Sequence, residues 1–405
     1  MLGPAIFALA AAELGARLLT PRERLPTPAP VDLQRYFTRA EIERGSRYAR
    51  PQMALGGARA AVQLAVLGAV AWRWRDPAPS RRRLAGEAAA GAATMAGLTL
   101  ASSAAPLPLA ALARRRSLAV GLATQSWRQW AADLAKAGAI EATMTAGLGA
   151  GAVELMRRYP RDWWLPAAGG SVALGTLLGA LAPVVLDPIF NAFEPLPEGE
   201  LRRDVLELAG AAGVRVGEVF SVDASRRTTA ANAYVTGLGL TKRVVLFDTL
   251  LDRYSRDEVR SVVAHELAHV AHRDVLRSVA FGAMVAAPAA LAVQRVGWVL
   301  SSARTGAAAL PALALAASVV TAPVGLIANR ISRAVERRAD AMALRLAGQP
   351  EAFIAFERAI ALQNVADLDP PVWVRRLLAT HPPTAERIGA AVALIPESRR
   401  TPAGS

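Results

Sequence analysis

Seven stretches of the chain are apolar for close to the ~20 residues that a helix needs to cross a bilayer. They are residues 1–19, 53–74, 84–113, 138–156, 163–186, 275–300 and 307–328. The fifth and seventh carry no charge between Leu165 and Leu186 or between Gly306 and Asn329. The others hold isolated charges, at Glu13, Arg17, Arg59, Glu87, Glu141, Glu154 and Arg295. An ionised group at bilayer depth is stable only against a partner or a wet cavity. The pattern therefore predicts membrane helices around a water-filled space. The first stretch has no charge from Met1 to Ala12, so it does not read as a cleaved leader, which would start with a positive region.

Between the fifth and sixth stretches lies a polar segment, 190–274, entered through the proline-bearing junction Asp187-Pro188 to Pro197. A helix is expected over 199–212, ended by Gly213. Three β-like runs follow, Glu218 to Asp223, Asn232 to Gly237 and Arg243 to Asp248. Glycine and asparagine separate them, which predicts a small antiparallel sheet. Ser255-Arg256-Asp257-Glu258 is a capping-box pattern. Val259, Val262, Val263 and Leu267 then recur at helical spacing, so a helix begins outside the hydrocarbon and is expected to run into the sixth span. Residues 329–405 read as soluble helices with a frayed end. The expected fold is mainly α: about seven membrane helices enclosing a chamber, with a small sheet in the part outside it. The parts are 1–189 (helices one to five), 190–274, 275–328 (helices six and seven) and 329–405.

Composition supports the membrane reading. Hydrophobic residues make up 53% and charged residues 20%, against ~25% charged in soluble domains. The absence of cysteine excludes disulfides, thiolate metal sites, cysteine nucleophiles and lipid attached to a cysteine of this chain. The net charge of +14 is almost all arginine, with lysine only at Lys136 and Lys242. Such an Ala/Arg/Gly-rich, lysine-poor composition suggests a bacterial genome rich in G and C. The arginines cluster between apolar stretches and no aromatic–basic platform accompanies them, which argues against nucleic acid and for membrane lipid as the partner. Alternating the helices puts seven basic residues from Arg22 to Arg50 and five from Arg114 to Lys136 on one side. The other side has five from Arg73 to Arg83, three from Arg157 to Arg161, and Arg304. The positive-inside rule then puts 190–274 and the C-terminus in the cytoplasm.

Three of the four histidines fall within eight residues, at His265, His269 and His272; the fourth is His381. His265-Glu266-Leu267-Ala268-His269 lies on the helix that starts at Ser255. Two imidazoles at i and i+4 share one helical face and can bind one zinc ion, with Glu266 beside them as the base that takes a proton from water. His272, one turn on, reads as a surface group. A hydrolytic zinc site needs a third protein ligand. The best source is Ser332 to Asp340, where Glu336 and Asp340 sit at i and i+4. Glu336 can ligate, and Asp340 can hold a ligating imidazole through its other nitrogen.

These motifs resemble the type I CAAX prenyl endopeptidases, membrane zinc metalloproteases of seven helices. The resemblance rests on His265 to His269, on Ser332 to Asp340, on Asn232-Ala233-Tyr234-Val235-Thr236-Gly237 and on Thr380-His381-Pro382-Pro383-Thr384-Ala385-Glu386-Arg387-Ile388. Pro188 to Leu196 is similar to the family's junction into its soluble part. The likeness is specific over about 185–390; over 1–184 it rests on hydropathy and helix number. It implies one catalytic Zn2+ held by His265, His269 and Glu336, with Glu266 as general base. It implies that Asn232, Ala233 and Tyr234 pair with an extended peptide or protein substrate. It also implies that His381 and Arg387 approach the metal and bind the substrate carbonyl or its oxyanion. Three other readings are open. The smaller heat-shock membrane zinc proteases differ in the number of spans. An intramembrane zinc protease is opposed by the charged flanks of the His265 helix. A non-catalytic membrane scaffold or transport protein would have no need of Glu266.

Overall fold

A computed structural model describes residues 2–76, 86–237 and 242–396. Each of the seven apolar stretches falls on a helix. The first is α1 (Leu2–Leu19) and the second lies in α2 (Arg39–Arg73). Helix α2 begins well before its apolar part because Thr38 and Glu41 form a reciprocal capping box. The third stretch is not one straight helix: α3 (Glu87–Ala104) and α4 (Leu107–Ala119) meet at a 44° bend. Pro106 stands at the break; it lacks the N–H needed to continue the ladder. Helices α5 (Trp127–Arg158) and α6 (Trp164–Val185) complete the first half, and the short α7 (Asp187–Phe190) leads out of it. Among the described residues, four helices are long and apolar enough to cross a membrane, or five if the bent α3–α4 pair counts as one span. Helix α5 is not among them, since Lys136, Glu141 and Glu154 interrupt it. Where it meets α3, Thr99 donates to Thr145 at 2.9 Å and Val153 packs on Gly91. A Cβ on Gly149 would meet the Gly91 carbonyl oxygen at 2.3 Å, the close backbone approach that small residues allow between membrane helices. The basic loop residues Arg81, Arg82 and Arg83 and the tail expected to fray after Pro396 lie outside the described residues.

The part outside the spans begins with β1 (Phe193–Pro195), α8 (Glu200–Ala211), β2 (Glu218–Val222), β3 (Ala233–Thr236) and β4 (Arg243–Phe247). The sheet order is β1-β2-β4-β3. It is mixed, which corrects the antiparallel sheet expected from the sequence: β1 with β2 and β3 with β4 are antiparallel, but β2 and β4 are parallel. After β2 the chain leaves through a 3-10 turn at Ala224–Arg226 and reaches the loop before α5, where Ala123 and Thr228 form an isolated bridge. It returns on the far side, so β3 lands at the edge and β4 fills the gap. Arg227 ties this excursion to α5 through Asp133 at 2.9 Å. Arg243 donates to the Pro183 carbonyl of α6 at 2.7 Å. The sheet is thereby fastened to the membrane half.

The remaining elements are helical: α9 (Asp248–Leu251), α10 (Arg256–Ala271), α11 (Asp274–Leu300), α12 (Leu310–Ala347), α13 (Pro350–Gln363) and α14 (Thr384–Val392). Helix α10 does not run on into the sixth span. The chain turns at Arg273, which adopts the left-handed conformation (φ 55°), a strain of about 1–2 kcal/mol for a residue with a Cβ. By contrast the seventh span and the Glu336 segment are one continuous helix, α12. The core under the site packs Val259, Val263 and Leu267 of α10 against Val205 and Leu208 of α8, Val244 and Leu246 of β4, and Phe353 and Phe356 of α13. The extended segment after α1 straps α14: Ala29 N–H donates to the Gly389 carbonyl at 3.0 Å, and a Cβ on Gly389 would lie 2.3 Å from the Ala29 oxygen. Gly389→Ala should therefore lower stability by about 1–3 kcal/mol, read as a fall in Tm. An unchanged Tm would mean that the strap yields freely.

Candidate metal centre

Helix α10 presents His265 and Glu266 next to each other and His269 one turn on. Its opposite side, with Val259, Val263 and Leu267, is fully buried, which fixes the helix's rotation. His265 and His269 cross edge to face with ring centroids 4.8 Å apart. Their Nε2 atoms are 3.1 Å apart. Helix α12 brings Glu336 against both: Oε2 is 3.3 Å from His265 Nε2, and Oε1 is 3.6 Å from His269 Nε2.

The other face of each imidazole settles what these atoms are. His265 Nδ1 lies 2.9 Å from Asp340 Oδ1 and His269 Nδ1 lies 3.1 Å from Asp274 Oδ2. Carboxylates accept, so each Nδ1 carries the proton and donates. In the neutral imidazole each Nε2 is then a lone pair, and the two point at each other and at Glu336. Glu336 Oε2 is itself buried with no hydrogen-bond partner. These three atoms lie within 4.8 Å of one another; with both imidazoles in the neutral form that binds metals, they are three acceptors whose repulsion a cation between them would relieve. The donor set, two imidazoles and one carboxylate, fits a divalent metal with an open position.

Asp340 and Asp274 are each held by arginine. Arg387 of α14 donates to both Asp340 oxygens, at 2.9 and 2.5 Å, and its third nitrogen is 2.7 Å from Glu357 of α13. Arg338 and Arg277 flank Asp274. The left-handed turn at Arg273 delivers Asp274 back to His269, so backbone strain is spent on orienting that imidazole. Burial pushes the Glu357 carboxyl up, and Arg387 opposes that shift. Burial also pushes Glu266 up, against the pull of His265 and His269, which makes it a stronger proton acceptor than a free glutamate.

The structure brings His265, Glu266, His269, Glu336, Asp340, His381 and Arg387 together. His381 sits at the mouth: it is 62% exposed, with Nε2 3.5 Å from Glu336 Oε2. Arg387 is on the other side. All three of its nitrogens are engaged behind His265, so it faces Asp340 and Glu357 and not the open side. His272 is outside the cluster of ligand atoms. Asn232, Ala233 and Tyr234 run into β3, the edge strand. Phe247 N–H donates to the Asn232 carbonyl at 3.1 Å, so pairing alternates from there and Ala233 and Val235 turn their N–H and C=O away from β4. Tyr234 donates to Asp187 at 3.3 Å. Sequence reasoning missed Asp274 and Glu357. The signal for Asp274 was an acid five residues after His269. That for Glu357 was one acid on the inner face of an otherwise apolar helix.

Comparison with known proteins agrees with this geometry. The model of peptidase family M48 matches residues 195–395. The model described as CAAX prenyl protease N-terminal, five membrane helices, matches residues 23–192. An uncharacterized metalloprotease of Bacillus subtilis, YhfN, is 31% identical over 300 residues, 72% of this chain and 70% of its own. A CAAX prenyl protease 1 homolog of Oryza sativa is 31% identical over 235 residues, 55% of this chain and 54% of its own. The crystal structure of S. mikatae Ste24p superposes with a TM-score of 0.76 at 21% identity, over 96% of this chain and 98% of that one. That likeness shows the fold, and the match of the five-helix N-terminal model over residues 23–192 argues against the smaller heat-shock type, which has fewer spans. The chain belongs to peptidase family M48, as an integral membrane metalloendopeptidase with a membrane half of the CAAX prenyl protease type.

Proposed function

We propose that the metal is zinc, one per chain, held by His265, His269 and Glu336. The observation that carries this is the convergence of two imidazole nitrogens and a carboxylate oxygen on one point, with Glu336 Oε2 buried and without a hydrogen-bond partner. Held by these three residues, zinc would supply Lewis-acid polarisation of the scissile carbonyl and of a water, whose pKa would fall toward ~7. Glu266 removes the proton from the attacking water and passes it to the leaving amine. His381, exposed at the mouth with Nδ1 held by the Thr380 hydroxyl at 2.9 Å, donates from Nε2 to the oxygen on which negative charge builds. Asp340 and Asp274 hold the two imidazoles with Nε2 turned inward. Arg387 acts through Asp340 and does not touch substrate. The substrate lies extended along β3 and pairs with the outward groups of Ala233 and Val235, adding a strand to the sheet. Asn232 and Tyr234 set the position of that edge.

The test is metal content beside cleavage of an unstructured reporter peptide by detergent-purified protein. A chelator should remove zinc and cleavage together, and one equivalent of zinc should restore both. His265→Ala and His269→Ala should each lose the metal. Zinc retained at one per chain by His265→Ala would strike that residue from the ligand set. We also propose that the protein sits in a bacterial cytoplasmic membrane with the site toward the cytoplasm, as the excess of basic residues on that side supports. A reporter fused after Gly199 should then be active only in its cytoplasmic form; activity outside would reverse the topology.

A further inference from the structure

Beside the metal centre lies a cavity of about 540 Å³ whose walls carry Arg330, Arg333, Arg337, Arg375, Arg376 and Glu386. Five guanidiniums in one cavity repel unless counter-charges are supplied, and the chain supplies few. Arg337 pairs with Glu386 at 2.5 Å. Arg330 is 2.6 Å from Glu13 of α1, which also pairs with Arg17 at 2.8 Å. Arg333 is buried and uses both Nη atoms on the carbonyls of Ala379 and Arg376. Arg375 and Arg376 have no ion pair among the described residues. The two carboxylates, Glu13 and Glu386, leave the five arginines with a positive surplus.

The cavity's place decides what it faces. Arg333 and Arg337 flank Glu336 in α12, three residues before it and one after. Pro383 and Glu386, also in the wall, lie between His381 and Arg387. The same two pieces of chain that supply the third ligand and the oxyanion donor thus build the cavity. Because these lining residues adjoin Glu336 and His381 along the chain, a peptide held with its scissile carbonyl near His381 would run close to the arginines.

We propose that this cavity is a subsite for a carboxylate of the peptide substrate, an acidic side chain or the substrate's own C-terminal carboxylate. The proposal rests on the protease reading above. Guanidinium forks suit carboxylates, which they bind with two parallel hydrogen bonds. Arg375 and Arg376, unpaired at the rim, would take the anion first, and Arg337 would reach it by sharing with Glu386.

Binding can be measured without turnover. Labelled peptides of one sequence are titrated onto zinc-loaded Glu266→Gln protein in neutral detergent, by fluorescence anisotropy. One peptide has an acidic residue and a free C-terminus, and a second has both neutralised by amides. Two others keep one carboxylate each. The doubly charged peptide should bind about tenfold tighter than the neutral one, less so at high salt. Arg375→Gln/Arg376→Gln should bring the ratio close to one, and Arg375→Lys/Arg376→Lys should restore most of it. The singly charged peptides then tell which carboxylate is read. No preference, or a preference that survives the glutamine pair, would overturn the subsite. Exposed Val372, Trp373 and Leu377 stand on the same turn and could lie against a membrane. If those arginines matter only in phosphatidylglycerol vesicles and not for peptide binding in detergent, the cavity holds a lipid headgroup and the proposal falls. Wild-type protein that binds charged peptides but cleaves none would instead count against the protease reading alone.

Discussion

Glu266→Gln protein should keep one zinc per chain and lose peptide cleavage by about 10²–10⁴-fold, the usual size of a general base's contribution. The two halves of that expectation have separate causes. Zinc stays because Glu266 is outside the group of converging donor atoms, which is His265, His269 and Glu336. Turnover falls because the amide is almost the same size as the carboxylate but cannot accept a proton. The loss should appear in kcat, with KM little changed, because the base acts only as the proton moves. Glu266→Asp should lose less, since it retains a base withdrawn by one methylene. A Glu266→Gln protein that cleaves at wild-type rate would remove Glu266 from the mechanism. A Glu266→Gln protein without zinc would instead make it part of the metal's support.

The site was legible in the sequence where its parts are local. His265 and His269 are one helical turn apart, and so are Glu336 and Asp340, so each pair shares a face before any fold is known. The capping box at Ser255 and Glu258 likewise announced where α10 begins. What the sequence could not show is which side of each helix the rest of the molecule covers. Arg387 was expected at the substrate because its neighbours resemble a substrate-binding motif. The structure turns it inward because α13 brings a buried Glu357 behind it. Asp274 was missed because its contact with His269 depends on a left-handed residue at Arg273, which composition does not announce. The sheet failed for a related reason. Three short runs separated by turn residues suggest hairpins, but the return through Thr228 and the membrane-side loop moves β3 to the far edge. Hydropathy alone placed a helix at each of the seven apolar stretches, but only four among the described residues, or five with the bent pair, are long and apolar enough to cross a membrane. The helix ends were less clear, since α2, α5 and α12 extend well past the apolar residues that revealed them.

Arg387→Ala should be the most damaging single change near the site. The guanidinium is the only cation in contact with both Asp340 and Glu357 among the described residues, and both carboxylates have side chains only 3% exposed. Removing one partner of a buried ion pair costs about 3–5 kcal/mol, because the charge left behind has neither water nor counter-ion. Arg387→Lys should rescue little: an ammonium is a point charge and cannot hold both Asp340 oxygens and Glu357 from one planar fork. Glu357→Gln in the Arg387→Ala background should recover part of the stability, because the amide needs no proton uptake where burial pushes the carboxyl up. Stability in detergent, followed by Tm or by urea, tests this half. The other half is zinc affinity. With Asp340 no longer fixed, His265 loses the partner that turns its Nε2 toward the metal, and affinity should fall about 10–100-fold. Glu357→Gln alone separates the effects: it leaves Asp340 paired with Arg387, so zinc affinity should fall less than in Arg387→Ala. Should Arg387→Ala leave both Tm and zinc affinity unchanged, the arginine would be free to serve the substrate, and the oxyanion role implied by the sequence motif would return to it.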